Sequence, residues 1–127
     1  DGAASNNSLD LLADVKILAL LQKHSHDDPK VLPAAEAWAV ATGVLAPRLG
    51  GSPVAVGQPA DFLLVDADAV EMALAPLVDA LVYSGSGAVV DSVVIDGRVV
   101  MEHRRVDGEE EVRARALECA RRVRHIT

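Results

Sequence analysis

The chain has 127 residues, 50% of them apolar and 2% aromatic. Any core is therefore built from Ala, Val and Leu, and the length excludes a complete (β/α)8 barrel of roughly 250 residues. Nineteen acidic against twelve basic residues give a formal charge of −7, which argues against nucleic acid or an anionic membrane surface as partner.

Asp1 to Ser8 is small and polar, a loop, and Ser8 is placed to cap a helix from Leu9 to Lys23. Asp10 falls in its first turn, where its charge serves the helix dipole. Leu9, Leu11, Leu12, Val15, Ile17, Leu18, Leu20 and Leu21 wrap well past one stripe, the pattern of a helix inside a larger protein. His24 to Leu32 reads as a loop. Pro33 then opens a second helix whose Ala34, Ala37, Trp38 and Ala41 share one face. Pro47 is expected to end or kink that helix and Gly50-Gly51 to finish it. From Ser52 the chain turns Val-rich, which divides it near residue 51 into a helical part, 1–51, and a β-rich part, 52–127.

Asp61 to Asp66 reads as a strand and Leu81 to Tyr83 as another short one. Ser92 to Ile95 and Arg98 to Met101 flank Asp96-Gly97, a pair that favours a type I′ hairpin because both turn residues need positive φ. Glu109 to Arg124 closes the chain as a helix with Val112, Ala116, Cys119 and Val123 facing inward. Acids at its start and Arg121, Arg122 and Arg124 at its end complement the dipole.

The residues that invite a chemical reading are few. Cys119 is alone, which excludes an internal disulfide, suits a reducing, cytoplasmic compartment and fits a small packed residue of the last helix. No signal peptide is visible, and no apolar run reaches the length of about 18 residues that a membrane span needs. Ser84-Gly85-Ser86-Gly87 resembles a phosphate loop only superficially, since no Gly-Lys-Ser/Thr follows. His103 and His125 stand in polar surroundings and read as exposed. Ser5, Asn6 and Asn7 read as helix-capping groups ahead of donors to a substrate. Asp1-Gly2, taken alone, is a turn.

Taken in order, these stretches have a pattern. Asp1-Gly2-Ala3-Ala4-Ser5-Asn6-Asn7 with Leu9-Asp10 comes first, then Leu20-Leu21-Gln22-Lys23, Asp28-Pro29 and Leu32-Pro33-Ala34. Ala41-Thr42, Leu49-Gly50, Val56-Gly57, Ala60-Asp61 and Asp66 follow. Leu81-Val82-Tyr83-Ser84, Ser86-Gly87 and Val93 to Val100 around Asp96-Gly97-Arg98 complete the set. The ordered set resembles the C-terminal segment of metal-dependent amidohydrolases, above all methylthioadenosine/S-adenosylhomocysteine deaminases and triazine chlorohydrolases. Leu45, where that family usually has Gly, and Pro47, inside what is normally continuous helix, depart from the pattern.

The resemblance implies a mixed α/β fold. Residues 1–51 would be the last loop and helices of a (β/α)8 barrel, and residues 52–127 part of a small β-sandwich with a C-terminal helix. A chain that starts at Asp1, without Met, fits a piece of such a protein. The resemblance also makes Asp1 the aspartate at the end of the final barrel strand, with both a catalytic and a metal-binding role. There a divalent metal, Zn2+ or another, lowers the pKa of a bound water, and the carboxylate holds that water and takes its proton. The hydroxide attacks an amidine-like ring carbon, and the proton leaves with the amine or halide. His24-Ser25-His26 is not the family's His-x-His pair, which lies on the first barrel strand. The other histidine ligands have no counterpart in this chain, so the chain alone is expected to be inactive and to hold no metal.

The expected partners are a small heterocyclic substrate and the remainder of the amidohydrolase polypeptide. Family members are often dimers or larger, so a homo-oligomer is expected. The isolated chain is expected to self-associate through its apolar first helix and open sheet edge. The competing reading is a free-standing, Val-rich binding or assembly module without enzymatic activity.

Overall fold

The computed structural model describes residues 5, 7–45, 51 and 53–124. The elements run α1 (Leu11–His26), α2 (Ala34–Ala41), β1 (Phe62–Val65), a 3₁₀ turn (Val70–Met72), α3 (Leu77–Tyr83), a second 3₁₀ turn (Gly87–Val89), β2 (Val90–Ile95), β3 (Arg98–Met101) and α4 (Glu109–Arg124). The fold is mixed α/β, with four helices and a three-stranded antiparallel sheet ordered β1-β2-β3 among the described residues.

The first helix starts later than the sequence suggests and runs longer. Its N-cap is Asp10, not Ser8: the Asp10 carboxylate accepts from the N–H groups of Leu12 and Ala13, satisfying two of the donors that a helix start leaves orphaned. The hydroxyl of Ser8 instead accepts from Asp10 N–H at 3.0 Å. At the other end the helix takes in His24, Ser25 and His26, which the sequence assigns to a loop, and stops where Asp27 turns left-handed at φ 50°. Asp27 and Asp28 return their N–H groups to the carbonyls of His24 and Lys23. A helix end with basic residues in its last turn suits the dipole.

Lys23 then fixes the connection to α2. Its Nζ donates to the carbonyls of Val31 at 2.6 Å and Leu32 at 3.0 Å and lies 5.9 Å from the centre of the Tyr83 ring. Leu32 has φ 49°, a conformation costly for a branched side chain and held here by the lysine. Lys23→Met is therefore expected to cost about 2 kcal/mol, the scale of lost charge-assisted bonds to part-buried carbonyls. The urea unfolding midpoint measures it, and an unchanged midpoint would show that the loop closes without the lysine.

Pro33 caps α2 from just outside it, and Ala34 and Ala37 are buried while Trp38 and Ala41 are half-buried, the face the spacing predicts. The helix ends at Ala41, ahead of Pro47, which lies outside the described residues together with Gly50. Gly43 takes φ 72°, and a Cβ on it would stand 2.9 Å from Gly51 Cα; a Cβ on Gly51 would collide with the backbone of Gly43 and the carbonyl of Thr42. Two backbones touch here, which glycine alone permits.

Leu81 to Tyr83 is helix, not strand. Pro76 precedes α3, and Ala80, Leu81 and Val82 are all buried. Ala80 and Leu81 join Leu12, Met72 and Val89 in one cluster, whereas Val82 joins Val15, Ala19, Ala34 and Ala37 in a second; half-buried Trp38 packs on both. A short helix covered on two sides shows a continuous apolar run, and periodicity cannot separate that from a buried strand.

The hairpin forms as the sequence indicates. Ile95 pairs with Arg98 and Val94 with Val99 across Asp96 (φ 50°) and Gly97 (φ 71°), the two positive φ values of a primed turn. Asp61 reinforces it: its Oδ1 accepts from Asp96 N–H at 2.6 Å. A second tight turn follows without any glycine. His103 (φ 48°) and Arg104 (φ 62°) join Glu102 to Arg105. Arg104 N–H donates to the Asp91 carbonyl, His103 N–H to Ser92 Oγ, and the Arg104 guanidinium to Asp66 Oδ2 at 3.0 Å.

The expectation that α4 turns Val112, Ala116, Cys119 and Val123 inward fails. None of its residues is buried, Val112 is 68% exposed and Cys119 is exposed. The sheet also presents Leu63, Leu64, Ile95 and Val99 to solvent. No described helix is long and apolar enough to cross a membrane.

Candidate functional site

The residue that the resemblance singles out, Asp1, lies outside the described residues, as does Asn6; the description begins with Ser5 and becomes continuous from Asn7. Ser5 and Asn7 are exposed. Helix capping, which Ser5, Asn6 and Asn7 were expected to supply, is the work of Asp10. Its second oxygen does something no local pattern announces. Oδ2 accepts from Gly87 N–H at 2.9 Å, across 77 residues of chain. Ser86 holds the same turn from its other side, its Oγ accepting from Ala88 N–H. The stretch from Ser84 to Gly87 is thus an ordered turn packed against the start of α1.

The histidines separate. His24 and His26 are exposed on the last turn of α1, and His26 Nδ1 lies 2.9 Å from the Gln22 carbonyl and 3.1 Å from Ser25 Oγ. His103 is exposed but has company, with Nδ1 3.4 Å from Asp91 Oδ2. His125 lies outside the described residues. Among the described residues, no three His, Cys, Asp or Glu side chains converge as a metal site would require. A catalytic zinc takes about three protein ligands. The described side chains therefore do not fit one, and a bound metal would draw most of its ligands from beyond them.

Residues 1–100 match the Amidohydrolase family. The chain is 44% identical to a 5'-deoxyadenosine deaminase of Methanoregula boonei, over 97% of its own length and 28% of that protein. It is 39% identical to a 5-methylthioadenosine/S-adenosylhomocysteine deaminase of Acetivibrio thermocellus, over 97% of its length and 30% of that protein. Among solved structures it matches an adenosine deaminase of Xanthomonas campestris, crystallised with bound zinc. The TM-score is 0.88 and the identity 32%, with 98% of this chain and 30% of that one covered. The chain thus spans under a third of the length of each of these proteins.

Proposed function

This chain belongs to the amidohydrolase family, and on that premise we propose that it forms the C-terminal part of a metal-dependent hydrolase that deaminates an adenosine-like nucleoside. The observation that carries this reading is the 44% identity to a 5'-deoxyadenosine deaminase along 97% of the chain. In this reading residues 1–51 close a (β/α)8 barrel and residues 52–127 contribute part of a β-sandwich with its C-terminal helix. Leu11, Ile17, Leu20 and Leu21 on α1 and Leu63 and Leu64 on β1, all about half exposed, are the surfaces that the rest of such a protein would cover.

Asp1 is the proton acceptor. Its carboxylate takes a proton from the water whose oxygen attacks the ring carbon bearing the amino group. The proton then passes to the leaving nitrogen, the C–N bond breaks and ammonia departs, leaving a ring carbonyl. Asp1 also offers one oxygen donor to a divalent metal such as zinc. The enzyme works as a cytoplasmic homo-oligomer; an exposed free thiol at Cys119 suits a reducing compartment. The alternative, a free-standing binding or assembly module, has no observation in its favour.

The test is an exchange of segments. Placed in the Methanoregula 5'-deoxyadenosine deaminase in place of the matching residues, this chain is expected to support release of ammonia from 5'-deoxyadenosine, while the 127-residue chain alone shows no turnover and retains no zinc through gel filtration. A folded, zinc-loaded hybrid without activity, or turnover by the chain alone, would end the reading.

A further inference from the structure

No residue of α4 is buried, and among the described residues none of its side chains joins either core cluster. A helix of 16 residues without packing is marginal in water, so α4 draws its stability from a cover. Val112, Ala116, Cys119 and Val123 form one stripe along it, spaced by 4, 3 and 4 residues, the alternation of a coiled-coil seam. Val112 is 68% and Val123 64% exposed. Arg115 and Arg122 border the stripe, each with a glutamate four residues before it. The first of these, Glu111, has its Oε1 3.7 Å from Arg115; the second is Glu118.

The stripe is its own complement. Its 4-3-4 spacing reads the same from either end. A second copy laid antiparallel therefore sets Val112 against Val123 and Ala116 against Cys119, twice over, about a two-fold axis. Small residues at the centre let the two backbones approach closely. The charges choose the direction. Glu109, Glu110 and Glu111 open the helix and Arg121, Arg122 and Arg124 close it. Antiparallel pairing lays each acidic end along a basic one, whereas parallel pairing lays like on like. Arg115 and Arg122 meet across the axis with their own glutamates beside them, so that flank is mixed in sign. We propose that α4 is an interface between copies of this chain, paired antiparallel with α4 of a second copy. The inference deepens the homo-oligomeric reading above and rests on it.

The experiment is cross-linking of the complete polypeptide that carries these residues with a short bis-maleimide. In the proposed register the two Cys119 side chains are offset by about 4.5 Å of helix rise, on helices about 8–10 Å apart, within the reagent's span. Covalent dimers are expected in the parent and are expected to disappear in Cys119→Ser, which separates this thiol from any other in the polypeptide. Ala116→Glu puts a charge opposite Cys119 while keeping a good helix former on an exposed position. It is expected to slow bridging about tenfold or more, since an unpaired charge is costly to cover. The same change at Ala114, on the opposite side of the helix, is expected to leave the rate unaltered. Bridging at the parental rate in Ala116→Glu would overturn the proposal and leave the homo-oligomer standing. So would an oligomer whose Cys119 takes no reagent because the rest of its own polypeptide covers α4. A polypeptide that stays monomeric in light scattering would overturn both.

Discussion

Asp1→Asn, in the complete polypeptide, is expected to lower turnover by about 10²- to 10⁴-fold, the range that loss of a general base typically costs. Asparagine keeps the size and shape of the side chain and one oxygen, but it has neither the negative charge nor the basicity to take a proton from water. The loss falls on the chemical step, so kcat collapses while KM moves much less. Thermal stability changes little, because the substitution removes no packing. Glu36→Gln is the companion variant. It too exchanges an acid for its amide, on an exposed position in the first turn of α2, and is expected to leave turnover at the parental level. Steady-state kinetics on both variants decide the matter, and parental turnover in Asp1→Asn removes the proton-acceptor role.

Ala37→Leu is expected to destabilise the fold by about 1–3 kcal/mol, the usual cost of extra methylenes in a packed core. Ala37 has no exposed surface, and neither does Ala19 of α1, which shares its cluster with Val15, Ala34 and Val82. With aromatics at 2% of the sequence, the helices close their gaps by approaching each other on alanine faces rather than by filling space with rings. Three extra carbons on α2 push it away from α1 and α3 together, and Trp38, which packs on both clusters, shifts with it. The sole Trp reports the change, through its emission maximum and the midpoint of urea unfolding. A midpoint equal to the parent's would mean that α2 is free to slide, contrary to the burial of Ala37.

How much of this was legible in the sequence varied with the range of the interaction. The hairpin could be read because Asp96-Gly97 is a local backbone device: the turn and its two Val-rich arms lie within ten residues. The second turn, at His103-Arg104, carries no such sign. Its positive φ values are held by Asp91, Ser92 and Asp66, which are distant or on another strand, so no local residue choice announces it. α2 showed its buried face because one side of it is wet. α3 was misread because both its sides are covered. The inward face expected of α4 followed a true periodicity, but periodicity names a stripe and not what covers it. Asp10 is a mixed case. Its place near the helix start was visible, whereas its bond to Gly87, 77 residues away, belongs to tertiary structure alone. The role proposed for Asp1 rests on the ordered resemblance alone, since a carboxylate followed by glycine has no chemistry of its own.

The contact between Gly43 and Gly51 has a consequence for how such a chain tolerates change. Gly43 and Gly51 meet backbone to backbone, so the path from α2 toward β1 is pinned where they touch. A methyl group on Gly51 has nowhere to go, and one on Gly43 would also have to accept φ 72°. Over evolutionary time neither glycine is open to exchange for a larger residue.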